Sequence, residues 1–299
     1  REKSPTATVP AAPQRAKETY CPPPLHVAKC VDHIREPFQF AGKALDEGAR
    51  WCDAVCLANG KENGFTAIPR INAADVPQDA RFLHITVNNT IYGTMWSELP
   101  ETGSVPLVGD LSSVALGREY DINRFGLAYM GAQKNMGIAG LTVVIIRKEL
   151  VTGELDEVVP SMLRYDLMAK NGSMYNTPNC WAIYCCGKVF KYLKSIGGLE
   201  EMHKRNLDKA KVFYDFLDSS KMFKGTVEPE FRSLMNIPFV TESADLDKEV
   251  VAATKAAGFD NLKGHKSVGG LRASIYNAMP KEGVEALVEF LKKYEAEHA

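Results

Sequence analysis

One lysine stands where a nucleophile would. Lys134 falls between two strand-like apolar runs, residues 127–130 and 141–146, in a turn with Gly131, Gly137 and Gly140 close by. Such a residue is either a solvated surface lysine or an amine held at the end of a sheet. An amine held there can attack a carbonyl. A carboxylate is placed in a similar way. Asp110 follows the short apolar run 106–108 and precedes Lys134 by 24 residues, the length of a short helix plus a strand. That spacing suits two neighbouring strand ends.

A lysine at a strand end can form a Schiff base with pyridoxal phosphate (PLP). PLP chemistry asks for more groups. A carboxylate must pair with the protonated pyridine nitrogen, donors must hold the phosphate, and an aromatic or apolar surface must cover the ring. An arginine then clamps the substrate carboxylate. Arg272, on a strand-like stretch, and His265, shortly before it, are further polar residues of the C-terminal part. Each residue also has a plainer reading. Asp110 can cap a helix beginning near Ser112. Arg272 can belong to a structural ion pair, and His265 can be a turn residue.

The elements that must position these groups read as an α/β pattern. Strands are expected over 81–87, 106–108, 127–130, 141–146, 232–240 and 271–276, and helices over 44–51, 178–194, 199–217 and 281–297. In such sheets ligands bind at the carboxyl ends of strands. The stretch 178–194 is apolar nearly all round and predicts a buried helix, with Cys185 and Cys186 in its core, stopping at Gly197-Gly198. In 271–276, Leu271, Ala273 and Ile275 share one face, and Arg272, Ser274 and Tyr276 the other. Val284, Leu287, Val288, Leu291 and Tyr294 form the inner stripe of the last helix. Residues 1–37 are rich in proline, hold no glycine, and predict an extended arm. The chain thus divides into an arm (1–37), a large domain (38–197) and a small C-terminal domain (198–299).

Bulk properties narrow the function. With 299 residues, 45% hydrophobic and 24% charged, the composition is that of a globular protein with a sizeable core. A formal net charge of −1 gives no general affinity for nucleic acid or anionic membrane. No apolar run approaches the roughly 18 residues of a membrane span. Seven cysteines without a CxxC pair suggest a reducing compartment and no metal site.

Three motifs carry a resemblance. Gly131-Ala132-Gln133-Lys134-Asn135 with Ala139-Gly140-Leu141-Thr142, Ser173-Met174-Tyr175-Asn176-Thr177-Pro178, and Gly264-His265 followed by Gly269-Gly270-Leu271-Arg272-Ala273-Ser274-Ile275-Tyr276-Asn277 are similar to motifs of the phosphoserine aminotransferases, class-V PLP enzymes. The resemblance spans about residues 38–299. It implies the aspartate aminotransferase-like fold of PLP-dependent transferases, with a mixed-sheet large domain and a smaller α+β domain. It also implies roles. Lys134 would form the Schiff base and Gln133 would touch the cofactor. Asp110 would pair with the pyridine nitrogen, and Thr90 would bond near the ring hydroxyl. Phe40 would stand where the family stacks a tryptophan on the ring. Asn176 and Thr177 would reach the cofactor phosphate of a partner subunit, which implies a homodimer. Arg272 would hold a substrate carboxylate and His265 the substrate's acidic end.

The departures set a second expectation. The family's glycine-rich phosphate loop falls by position on residues 12–20, which hold no glycine and include Pro13. Each charge-assisted bond lost there is worth about 1.5–3 kcal/mol, so PLP retention would suffer. A family segment that helps bind substrate phosphate has no counterpart ahead of the arm. The family's His-Arg pair is His265-Lys266 here, a point charge in place of a planar fork. These features point to a catalytically impaired relative that serves as a structural or partner-binding subunit of a larger assembly. The alternative is a working enzyme that converts 3-phosphohydroxypyruvate and glutamate to phosphoserine and 2-oxoglutarate. The composition of residues 1–20 resembles the tail of a processed transit sequence, so the mitochondrial matrix is expected, with the cytoplasm as the alternative.

Overall fold

The structure is a computed structural model and describes residues 30–32, 39–153 and 159–298. Six strands form one sheet: β1 (Cys30–Asp32), β2 (Ala54–Cys56), β3 (Phe82–Thr86), β4 (Leu107–Asp110), β5 (Phe125–Gly131) and β6 (Thr142–Ile146). Their spatial order is β2-β1-β3-β4-β5-β6. Neighbours are parallel from β2 through β5, and β6 alone runs antiparallel to β5. Parallel pairing brings the carboxyl ends to one edge. In register, Thr86 lies beside Asp110, and Asp110 beside Tyr129. The middle of this sheet is covered on both faces, so Leu83, His84, Ile85 and Thr86 are all buried.

Three expectations are corrected here. Cys30–Asp32, placed in the arm by its surroundings, is a sheet strand between β2 and β3; three residues are too few for a legible period. The first helix, α1, runs over Gln39–Gly48, earlier than 44–51. No helix starts near Ser112. The Asp110 carboxylate accepts a bond from the Ser112 N–H at 2.8 Å and closes a turn instead.

After a short helix α2 (Tyr165–Lys170), α3 (Cys180–Ser195) begins on Asn179, whose side chain accepts from the Ala182 N–H at 3.1 Å. It ends at Gly197, which adopts φ 113°, a conformation open to glycine. The prediction that α3 is buried is overturned. Only Ala182, Cys186 and Leu193 are buried in it, Cys185 is half-buried, and Trp181 is 64% exposed. An apolar helix needs cover on every side, and the described residues cover one face.

The second unit holds α4 (Gly198–Ser219), β7 (Lys224–Gly225), β8 (Asn236–Val240), α5 (Ala244–Ala256), β9 (Leu271–Ser274) and α6 (Lys281–His298). Strands β7, β8 and β9 form an antiparallel sheet. Phe213 of α4 meets Phe239 of β8 edge to face, at 5.3 Å between ring centroids. The two units touch along a seam. Gly93, at φ 72°, presses against β8 so closely that a Cβ would lie 2.2 Å from the Pro238 ring.

Candidate active site

The edge formed by the carboxyl ends of β3, β4 and β5 carries the titratable groups. Lys134 stands in the turn that joins β5 to β6. That turn is pinned across its base, where the Ala132 N–H donates to the Leu141 carbonyl at 2.9 Å, and within, where the Gly137 N–H donates to the Ala132 carbonyl at 2.7 Å. Asp110 is the last residue of β4, the strand beside β5. Arg272 belongs to β9 of the small unit and crosses the seam: its Nη1 donates to the Thr90 carbonyl at 3.3 Å.

Thr90 is the hub of the site. Lys134 Nζ and Thr90 Oγ1 share a hydrogen bond of 3.2 Å. The Phe40 ring of α1 lies 5.5 Å from Lys134 Nζ. Burial pulls the Lys134 pKa below its usual value; the Asp110 carboxylate pushes it back up, and the Arg272 guanidinium lowers it further. An amine with a depressed pKa has a larger neutral fraction near pH 7, and the neutral amine is the nucleophile.

Structure therefore brings together Lys134, Asp110, Thr90, Arg272 and Phe40. His265 lies on the loop that leads into β9 and bonds Ser267 through Nδ1 at 2.7 Å. Gln133, beside the lysine, is exposed. Asn176 and Thr177 stand apart on the exposed loop ahead of α3, where Asn176 Nδ2 contacts Met162 Sδ at 3.0 Å. Residues 12–20 lie outside the described residues.

Sequence reading missed a layer behind the site. Asn88 and Asn236, 1% and 0% exposed, bond each other across the seam at 3.0 Å. Asn236 Nδ2 also donates to the Tyr276 hydroxyl at 3.2 Å. Asn135, next to the lysine, accepts the Asn277 N–H at 3.0 Å. The alternation that put Tyr276 on the face of Arg272 was the one available signal.

The residues present fit PLP. A carboxylate, an amine and an aromatic ring converge at the strand ends. Two buried polar atoms nearby, Thr86 Oγ1 and Arg272 Nε, have no hydrogen-bond partner, which suits a site that receives a polar ligand.

A lysine in the turn after one strand, opposed by a carboxylate ending the next, is an aminotransferase arrangement. Residues 55–287 match the family model for aminotransferase class-V, and the chain belongs to that family. It is 45% identical over 256 residues to the phosphoserine aminotransferase of Bacillus cereus, a match spanning 86% of this chain and 71% of that protein. Among solved structures, the phosphoserine aminotransferase from Bacillus circulans subsp. alkalophilus superposes with a TM-score of 0.86 at 43% identity, over 91% of this chain and 74% of that one. The PLP-bound phosphoserine aminotransferase from Trichomonas vaginalis does so with a TM-score of 0.81 at 33% identity, over 89% and 75%. The fold is that of the PLP-dependent transferases, with a mixed-sheet large unit and a smaller α+β unit.

Proposed function

We propose that the chain is a PLP-dependent phosphoserine aminotransferase that transfers the amino group of glutamate to 3-phosphohydroxypyruvate. The observation that carries this reading is the Lys134 amine, in hydrogen-bond contact with Thr90 and within charge reach of Asp110 and Arg272. The similarity to phosphoserine aminotransferases favours this alternative over a catalytically impaired subunit. The case for impairment rested on residues 12–20 and on what precedes them, whereas the described site keeps its reactive groups.

When bound, PLP supplies the electron sink for amino transfer. The chain's own residues do the rest. Lys134 Nζ would be the amine that holds the cofactor, and, when free, the base that takes a proton from the substrate carbon and returns it to the bound group. Asp110 holds a proton on the pyridine nitrogen. Phe40 would cover the cofactor ring, while Thr90 and Gln133 would bond it. Arg272 grips the substrate carboxylate, and His265 faces the acidic end. Asn176 and Thr177 belong to a neighbouring copy's phosphate site. A second copy seated on α3 would bring them there and cover its exposed apolar face.

Titrating the purified protein with PLP tests the reading. A new visible absorption band is expected, absent in Lys134→Ala, together with glutamate-dependent formation of phosphoserine. No band at saturating PLP would sink the proposal.

A further inference from the structure

We propose that Ser112 is a positioning residue of the site. Its N–H holds the Asp110 carboxylate and its hydroxyl holds the Gly131 N–H, so it ties the acid-bearing end of β4 to the end of β5 that carries the Lys134 turn. The inference rests on the reading of Asp110 and Lys134 as the working pair.

The need for such a strut follows from how the two strands part. In a parallel pair the rungs are evenly spaced and come from each strand in turn. The Leu111 N–H donates to the Tyr129 carbonyl at 2.9 Å, so the next rung would run from the Gly131 N–H to the Leu111 carbonyl. That carbonyl is taken. The chain turns away after Asp110, and the Leu111 oxygen accepts the Val114 and Ala115 N–H groups at 3.0 and 2.8 Å. The Gly131 N–H donates instead to Ser112 Oγ at 3.1 Å. A backbone N–H can only donate, so the sense of this bond is fixed. A side-chain oxygen thus supplies one rung beyond the point where the backbone ladder ends.

The other half of the strut acts on the acid. The Ser112 N–H donates to Asp110 Oδ1 at 2.8 Å, a charge-assisted bond of the stronger kind. The carboxylate cannot turn about its Cβ–Cγ bond without breaking it. One residue therefore orients the acid and anchors Gly131, three residues before the lysine.

The charged groups that act on Lys134 are Asp110 at the end of β4 and Arg272 of β9. Phe40 from α1 and Thr90 from the loop after β3 bring no charge. Ser112→Ala leaves all four in place. It also keeps the N–H on Asp110 and removes only the rung to Gly131. The two strand ends are then free to part, and the carboxylate loses its hold on the amine.

The test measures that hold in the full chain without PLP. The rate at which a small amine-specific acylating reagent modifies Lys134 is followed against pH by peptide mass spectrometry. Asp110→Asn should lower the midpoint by on the order of one pH unit. Made together with Ser112→Ala, the same substitution should lower it by less than about half as much. Made together with Ser112→Thr, which keeps a hydroxyl for Gly131, it should have its full effect. An equal fall with and without Ser112→Ala overturns the proposal. So does a fall reduced alike by Ser112→Ala and Ser112→Thr, and so does the absence of any fall for Asp110→Asn alone. Since no cofactor is involved, a missing PLP band would count against the enzymatic reading alone.

Discussion

In the small unit, α6 turns Val284, Leu287, Val288, Leu291 and Tyr294 inward, and Phe213, Phe223 and Phe239 meet in a core with no exposure. In the large unit, α3 turns Trp181, Ile183, Tyr184 and Tyr192 outward. Both helices carry apolar side chains that need cover. The difference is in what each one meets. The stripe on α6 is narrow, and its neighbours α4 and β8 are supplied by the same stretch of chain. The apolar surface of α3 runs nearly all round, and the chain around it reaches one side. Periodicity names the face that avoids water but not the partner that covers it.

The comparison can be broken at the self-closed core first. Phe213→Ala removes a fully buried ring and should cost about 3–5 kcal/mol of unfolding free energy in urea. A loss under 1 kcal/mol would mean the small unit is not a closed core. A buried charge inside the same unit comes next. Lys209 of α4 is buried and donates to the Tyr276 and Met279 carbonyls at 2.7 and 3.1 Å, and burial pushes its pKa down to about 8. Because the unfolded chain holds this proton up to a higher pH, stability from this group rises as pH climbs from about 8 toward 10.5. Lys209→Met should flatten that rise by as much as about 3 kcal/mol. An unchanged pH profile would place the lysine in water. The smallest effect on unfolding belongs to the open face. Trp181→Glu should change urea stability by no more than about 0.5 kcal/mol at low protein concentration, yet shift the sedimentation profile of the proposed dimer toward monomer. A variant that stays dimeric would remove α3 from the contact between copies.

Much of this molecule was legible as sequence. The alternation over 271–276 placed Arg272 and Tyr276 together, and the structure keeps them on one face. Lys134 and Asp110 could be located because a sheet of parallel strands sends its ends to one edge. What stayed hidden depends on contacts between distant stretches. Asn88 and Asn236 are 148 residues apart, and nothing local to either announces the other. Strand β1 is three residues long and takes its identity from β2 and β3 on either side. Neither pairing has a local period that could have betrayed it.

The pinned turn that carries Lys134 has a consequence for recognition. Its two ends are tied to each other, and β5 and β6 are laced together from Leu127–Ile146 to Gly131–Thr142. The sheet therefore holds the lysine backbone, and a ligand that binds it loses little free energy to ordering that loop. In mechanical terms the lysine is a fixed post, and the Ala132 and Gly137 amide protons that pin its turn should exchange with solvent only when the sheet itself comes apart.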